Sequence, residues 1–178
     1  MNSGTVFTGT DGFTTMTFGK RMMLATGAMS REAYVGVLIR RTWRATGAEI
    51  RLQGPRHCFA SAATGEIFEM RPDAAVVEDG QCLRIYDTKW RMLNTSKPDL
   101  GVGQGDIYQM ASYASRYDCQ HISLLYPRDD QVAAGLLETF ELSDGRGSRV
   151  DVFALDLEAL VHGSATSKWA RSGLTPNN

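Results

Sequence analysis

Two short acidic motifs carry the residue types that metal-assisted phosphoryl chemistry needs. Asp73 directly follows Pro72, and Asp87 comes fourteen residues later with Lys89 two positions beyond it. Carboxylate oxygens suit Mg²⁺ or Mn²⁺, which keep bound waters and use one or two protein carboxylates plus substrate phosphate. Such an ion lowers the pKa of a bound water from ~15.7 towards neutrality, and a nearby lysine orients that water or stabilises charge on the phosphate. These residue types therefore predict phosphodiester hydrolysis.

The strand that contains Asp87 is expected to place both charges on one side. Side chains alternate along a strand, so Leu83, Ile85, Asp87 and Lys89 are predicted to share a face that begins apolar and ends charged. Charges at positions where burial is expected are costly unless they pair or bind a metal. The alternative is a surface Asp–Lys ion pair worth only ~0–1 kcal/mol, which the Asp-x-Lys spacing by itself favours.

A third carboxylate stands near the start of the first predicted helix, which runs from Arg31 to about Ala45. Glu32 precedes Val35 and Ile39 by three and seven positions, so it lies on the stripe predicted to face the sheet. A carboxylate in the first turn is also favoured by the helix macrodipole, which is a structural explanation for the same residue.

The second predicted helix, Gln104–Tyr117, carries polar residues on one side. Gln109 and Tyr113 are four residues apart and share a face, with Asp106 three residues earlier. Polar groups on an inward face need partners. An ordinary polar helix surface is the alternative.

The order of elements predicts an α/β fold in which helices flank a sheet, rather than a doubly wound fold in which helices and strands alternate throughout. Residues 1–28 are expected to be irregular apart from a short helix near Lys20–Leu24, residues 29–162 to form one domain, and residues 163–178 to be a flexible tail. Strands are predicted over Ala48–Gln53, His57–Ala62, Ile67–Val77 with a break near Pro72, Cys82–Trp90, His121–Tyr126, Leu137–Leu142 and Arg149–Leu155.

Composition excludes several classes of protein. No stretch approaches the ~20 consecutive apolar residues of a membrane helix, and the first residues lack the pattern of a secretory signal. The three cysteines are far apart, which argues against a disulfide framework, an iron–sulfur cluster or a structural zinc site and favours a reducing cytoplasm. A net charge of −1 does not by itself indicate a nucleic-acid partner.

Taken in order, the motifs resemble those of the PD-(D/E)xK nuclease superfamily, and within it the nuclease domain of McrC, the DNA-cleaving subunit of modification-dependent restriction systems. The resemblance runs from about Ser30 to Leu157. The segments that carry it are Glu32–Val35, Arg71-Pro72-Asp73, Asp87-Thr88-Lys89-Trp90, Gln104–Ala114 and Leu124-Leu125-Tyr126-Pro127.

This resemblance implies a restriction-endonuclease-like αβββαβ core, with a mixed β-sheet flanked by helices and extra strands at the C-terminal end. It implies that Asp73 and Asp87 bind Mg²⁺ or Mn²⁺ and that Glu32 completes the metal site. Lys89 would assist the attacking water or the scissile phosphate.

Gln109 and Tyr113 match the superfamily motif that supports the site or contacts the DNA backbone. Gln53 corresponds to a glutamine often present after the first helix in the superfamily. The implied substrate is DNA, and cleavage of both strands would favour a homodimer, because one such site cuts one strand at a time.

McrC proteins usually carry a sizeable N-terminal domain that docks onto McrB, an AAA+ GTPase ring, whereas about thirty residues precede Glu32 here. A fragment, a standalone RecB-like nuclease and a subunit with a different partner therefore stay open. Two other functions also stay open: a nuclease-like module for DNA binding or assembly that does not cut, and a metal-dependent phosphoesterase acting on nucleotides or RNA.

Overall fold

The computed structural model describes residues 31–130 and 132–156, and for residues 31–34 the backbone alone. The predictions made for residues 1–28, including the short helix near Lys20–Leu24, and for the tail from residue 163 lie outside this part of the chain. In the described part, the elements follow in the order α1 (Arg31–Trp43), β1 (Glu49–Leu52), β2 (His57–Ala62), β3 (Gly65–Met70), β4 (Ala74–Glu78), β5 (Gln81–Thr88), α2 (Gln104–Tyr117), β6 (His121–Pro127), β7 (Gly135–Glu141) and β8 (Arg149–Leu155).

Six of the strands form one mixed sheet in the order β1-β4-β5-β6-β8-β7. β1, β4 and β5 pair antiparallel, β5, β6 and β8 pair parallel, and β7 closes the far edge antiparallel to β8. The parallel step from β5 to β6 needs a crossover, which α2 supplies. The predicted α/β architecture, with a mixed sheet, flanking helices and additional strands after β6, is confirmed. Among the residues described, no helix is both long and apolar enough to cross a membrane.

One face of the sheet is covered by α1. Its predicted stripe is confirmed, since Val35, Leu38, Ile39 and Trp43 are buried and pack in one core with residues such as Tyr86. Gly36 allows this close approach, because a Cβ at that position would lie 2.7 Å from Leu52 Cδ1.

The opposite face is covered by α2, whose bounds are those predicted from the sequence. Met110, Tyr113, Ala114 and Tyr117 are buried in a second core together with Ile85 and residues of β6 and β8. The two helices therefore sandwich the sheet, and the central strands are buried on both faces.

The prediction that Leu83 lies on the same face of the strand as Ile85 and Asp87 is wrong. Val76 pairs with Arg84 whereas its neighbour Val77 pairs with Cys82, so Leu83 is the extra residue of a bulge in β5. Leu83 consequently packs on the α1 side of the sheet, while Ile85 packs on the α2 side. From Ile85 onwards the alternation resumes and carries Asp87 to the α2 side.

The run predicted over Ile67–Val77 is two strands in two different sheets rather than one interrupted strand. Among the described strands, β3 pairs with β2 alone in a separate antiparallel hairpin, and β4 belongs to the main sheet. Arg71, Pro72 and Asp73 form the connection between them. Pro72 has no N–H to donate to a ladder, so the chain leaves one sheet there and enters the other.

Candidate active site

Asp73 and the end of β5 meet because β4 and β5 form an antiparallel pair. Ala74, the first residue of β4, lies opposite Tyr86, so Asp73 falls beside the last residues of β5. Its Oδ2 accepts a hydrogen bond from the backbone N–H of Thr88 at 2.8 Å and a second from the Thr88 hydroxyl. The carboxylate is thereby held against the strand that carries Asp87.

Gln53 fixes the other oxygen of the same carboxylate. Its Nε2 donates to Asp73 Oδ1 at 3.1 Å, and its backbone N–H donates to the Asp73 carbonyl oxygen at 2.8 Å. Gln53 directly follows β1, the strand next to β4 in the sheet. The glutamine singled out by the family resemblance therefore lies at the predicted site.

Asp87 and Lys89 form a tight pair, with Asp87 Oδ2 and Lys89 Nζ 2.6 Å apart. Asp87 is only 5% exposed. Burial raises the pKa of the Asp87 carboxyl to about 6, against the hydrogen bond and charge of Lys89, and the negative charges of Asp73 and Asp106 raise it further. Asp73, Asp87 and Asp106 thus lie close enough to influence one another, and Lys89 is the ion-pair partner of Asp87.

A chain of hydrogen bonds connects Lys89 to α2. Lys89 Nζ donates to Gln109 Oε1 at 2.9 Å, and Gln109 Nε2 donates to the Tyr113 hydroxyl oxygen at 3.0 Å. Burial raises the pKa of Tyr113, so its phenol stays protonated near neutral pH. The predicted pairing of Gln109 and Tyr113 on one helix face is confirmed, and it faces the lysine.

Asp106 and Arg91 extend the site along the start of α2, and the sequence interpretation gave them no role. Asp106 pairs with Arg91, lies 3.7 Å from Lys89 Nζ, and accepts from the Tyr126 hydroxyl at 3.4 Å. The signal was present in the sequence, because Arg91 stands two residues beyond Lys89 and Asp106 lies three residues before Gln109 on the same helix face.

Glu32 lies in the first turn of α1, on the helix that covers the face opposite to α2. Its side chain is outside the described part of the structure. Its predicted role as a metal ligand stays a prediction.

The donor set suits a hard divalent cation. Asp73 and Asp87 offer oxygen ligands, and each carboxylate has about four lone-pair sites, so the contacts above leave room for an ion. Within the described residues, no group of three or more His, Cys, Asp and Glu side chains is placed to hold a metal. Mg²⁺ binds through one or two carboxylates with several retained waters, so the carboxylates of Asp73 and Asp87 fit it.

Comparisons with known proteins identify the family. A model described as "McrBC 5-methylcytosine restriction system component" matches residues 31–127, which is more than half of the chain and contains Asp73, Asp87, Lys89, Gln109 and Tyr113. A search of curated proteins found no match.

A structural search finds similarity to a chain of a refined half-complex from the tetradecameric assembly of Thermococcus gammatolerans McrB AAA+ hexamers with bound McrC. The TM-score is 0.51 at 13% identity over 77% of this chain, which supports the fold. The match covers 32% of that longer chain, about a third of its length. On the family match, this chain belongs to the McrBC 5-methylcytosine restriction system component family, as its resemblance to McrC predicted.

Proposed function

We propose that this chain is a Mg²⁺-dependent DNA endonuclease, the cleavage subunit of a McrBC-like modification-dependent restriction system. The observation that carries the proposal is the convergence of Asp73, Asp87 and Lys89 at the end of β5, with Lys89 bonded to both Asp87 and Gln109. Membership of a restriction-system family supports a nuclease role.

Asp73 and Asp87 would hold the metal ion, with Glu32 as the third carboxylate. When bound, the ion supplies a water of lowered pKa and polarises a phosphoryl oxygen. Asp73 is positioned for this by Gln53 and Thr88, which fix its two oxygens. Asp87 is positioned by its place at the end of a central strand, where it is buried.

Lys89 is the residue proposed to contact the substrate phosphate or the attacking water. An ammonium has three N–H donors, of which Asp87 and Gln109 occupy two. Asp106 Oδ1 lies 3.7 Å away, beyond hydrogen-bond distance, so the third donor is left for a non-bridging phosphate oxygen or the attacking water. There a fixed positive charge would stabilise the charge that develops in the transition state. Gln109 keeps the ammonium in place, and Tyr113 keeps Gln109 in place, so both act as positioning residues.

The proposed partners are DNA and a McrB-like AAA+ GTPase. The similar solved assembly combines McrB AAA+ hexamers with McrC. Because this chain spans about a third of the matched one, docking onto such a ring is a proposal to be tested together with DNA cleavage. A homodimer is the simplest way to cut both strands.

The decisive test incubates the protein with methylated and unmethylated plasmid DNA in Mg²⁺ or Mn²⁺, with and without the AAA+ partner and GTP. We expect cleavage by the wild type and none by Asp87→Ala or Lys89→Ala at retained thermal stability. Lys97→Ala is the matched control, because this exposed lysine lies outside the site. Equal cleavage by the wild type and both site variants would refute the assignment.

The alternative function is a nuclease-like module that binds DNA or supports assembly without cutting. It is favoured by the partners that both carboxylates already have, since Asp87 pairs with Lys89 and Asp73 is hydrogen-bonded to Thr88. Metal titration separates the two functions. A ligand that binds only the folded state stabilises it, so a nuclease of this kind should melt at a higher temperature in Mn²⁺. An unchanged melting temperature would favour the module, and cleavage of RNA or small phosphodiesters in preference to DNA would favour a different phosphoesterase.

A further inference from the structure

Two phenylalanine side chains project into solvent from the β2–β3 hairpin. Phe59 is 56% exposed and Phe68 is 69% exposed. Cys58 pairs with Glu69 and Ala60 pairs with Ile67, so Phe59 and Phe68 stand at the same level of the two strands. Both line one groove. Exposed aromatic side chains grouped in this way mark interaction sites more often than isolated ones do.

Phe68 also has a strained backbone. Its φ is 59°, in the left-handed region that is a genuine outlier for a bulky side chain. Strain of this kind persists only where the surrounding structure enforces it, and it is concentrated at functional sites. At Phe68, the strain coincides with an aromatic ring held out of any core.

Hydrogen bonds and an aromatic contact hold the β2–β3 hairpin against α2. The Tyr117 hydroxyl lies 2.7 Å from the Pro55 carbonyl oxygen and 2.9 Å from that of Met70, at the two ends of the hairpin. Arg116 Nε donates to the Cys58 carbonyl oxygen at 2.9 Å, and the His57 ring packs edge-on against Tyr117 at 4.7 Å. The two aromatic rings are therefore presented from a preorganised support.

Between the hairpin and α2 lies an open groove of about 690 Å³. Phe59 and Phe68 line one side, Gln109 and Tyr113 line the other, and Arg71 and Glu69 add one positive and one negative charge. Gln109 is the residue that holds Lys89. The groove therefore adjoins the candidate active site through Gln109.

We propose that Phe59 and Phe68 stack on an unpaired base of the DNA strand whose phosphate lies at Lys89, so that the groove takes single-stranded or locally melted DNA. This inference rests on the proposed function, since it assumes a DNA strand at that site. Aromatic rings stack on any base, and a neighbouring cation accepts the backbone. Gln109, Ser112 and Tyr113 offer the groove's hydrogen-bonding groups, and Arg71 offers a positive charge, while the nearby Glu69 is paired with Arg56. A polar lining of this kind fits a nucleotide better than the apolar face of a partner protein.

The test measures binding without cleavage. A single-stranded oligonucleotide of about 12 nucleotides, carrying 2-aminopurine as a stacking reporter, is titrated with the 178-residue protein in EDTA. Loss of one stacked ring is expected to weaken binding by ~5- to 100-fold. Phe59→Ala should show that loss together with reduced quenching of the reporter, whereas Phe59→Trp should retain both affinity and quenching. Leu136→Ala is the matched control, because Leu136 is also exposed but belongs to β7, an edge strand of the main sheet and not of the hairpin.

Phe68→Gly adds a readout that a structural role would not produce. Glycine adopts positive φ without strain, so this variant is expected to melt at the same or a higher temperature and yet to bind the oligonucleotide less tightly. A lower melting temperature with unchanged binding would show that Phe68 serves the fold alone and would overturn the proposal.

The remaining outcomes separate this proposal from the nuclease assignment. If the wild type cuts DNA while Phe59→Ala and Phe68→Gly bind the oligonucleotide as it does, stacking is refuted and the nuclease stands. If the wild type binds the oligonucleotide but does not cut DNA, the nuclease assignment fails. Stacking is then tested by the ratio of the oligonucleotide affinities of the wild type and the phenylalanine variants. Absence of binding by the wild type overturns the proposal, as does a loss of self-association in the variants with affinity unchanged, which would make the pair a contact between protein copies.

Discussion

Two ion pairs involve residues of β5, one fully buried and one with a half-buried lysine, and their surroundings differ. Arg84 and Asp151 are 3% and 4% exposed and lie 3.0 Å apart on the α1 side of the sheet. Arg84 Nη1 also donates to Ser123 Oγ at 3.0 Å, and Asp151 Oδ1 accepts from the Thr139 hydroxyl at 2.8 Å. Hydroxyl groups from β6 and β7 thus complete the hydrogen bonding of this pair. Together these contacts connect β6, β7 and β8 to β5.

The Lys89–Asp87 pair stands at the end of the same strand on the α2 side. Burial raises the pKa of Asp87, and the negative charges of Asp73 and of Asp106, which is paired with Arg91, raise it further. A buried charge is tolerable when its partners satisfy it and costly when they do not. The first pair is satisfied within the sheet, whereas the second has two further carboxylates beside it, which agrees with the metal site proposed above.

Among the effects expected from disrupting these two ion pairs, the largest is on the rate of DNA cleavage. Lys89→Ala should lower the cleavage rate by roughly 100-fold or more, because it removes the fixed positive charge near the scissile phosphate. The measurement is the initial rate of nicking of supercoiled plasmid, with Lys97→Ala as control. A rate within a few-fold of the wild type would mean that the second pair, like the first, is structural.

Breaking the Arg84–Asp151 pair should instead be seen in stability. Asp151→Asn leaves the Arg84 charge buried and poorly compensated, which typically costs about 3–5 kcal/mol. Urea unfolding followed by circular dichroism measures this loss. Replacing both partners at once with apolar residues should recover much of it, and a single-variant loss below about 1 kcal/mol would contradict the structural role.

The pH dependence of metal binding sharpens the comparison at Asp87. Metal ligands must be deprotonated, and the folded-state pKa of Asp87 is raised to about 6. The increase in melting temperature caused by Mn²⁺ should therefore be small near pH 5.5, grow as the pH rises through about 6, and level off above about pH 7. Without metal, the contribution of Asp87 to the free energy of unfolding changes in the opposite direction. Because its carboxyl pKa is raised in the folded state, the folded protein loses stability as the pH rises from about 4 to 6. A Mn²⁺ effect that is constant over this range would argue against Asp87 as a ligand.

The smallest effect is expected at the hydrogen bond that positions Gln109. Tyr113→Phe removes the oxygen that accepts from the Gln109 amide, at a cost of about 1 kcal/mol, or roughly fivefold in rate. Tyr108→Phe is a closely matched control, because Gln104 donates to Tyr108 at the same four-residue spacing on the exposed side of the helix. Equal rates for the two variants would mean that Gln109 needs no support from Tyr113.

Local patterns in the sequence determined much of the framework. The bounds of α2, β2 and β8 were predicted as the structure has them, and the buried stripe of α1 followed from its three- and four-residue spacing. Such features depend on residues a few positions apart, which periodicity reports directly. The pairing of Lys89 with Asp87 and of Gln109 with Tyr113 was predictable for the same reason.

Contacts between distant segments were decided by the tertiary structure alone. The bulge at Leu83 depends on how β5 pairs with β4, and the separation of β3 from β4 depends on which sheet each strand joins. The partners of Asp73, namely Gln53 twenty residues earlier and Thr88 fifteen residues later, likewise depend on strand pairing. The sequence alone therefore predicted which residues to propose for a metal site. Only the fold decided how they are held, because strand register is set by cooperative packing of the whole sheet and not by any one segment.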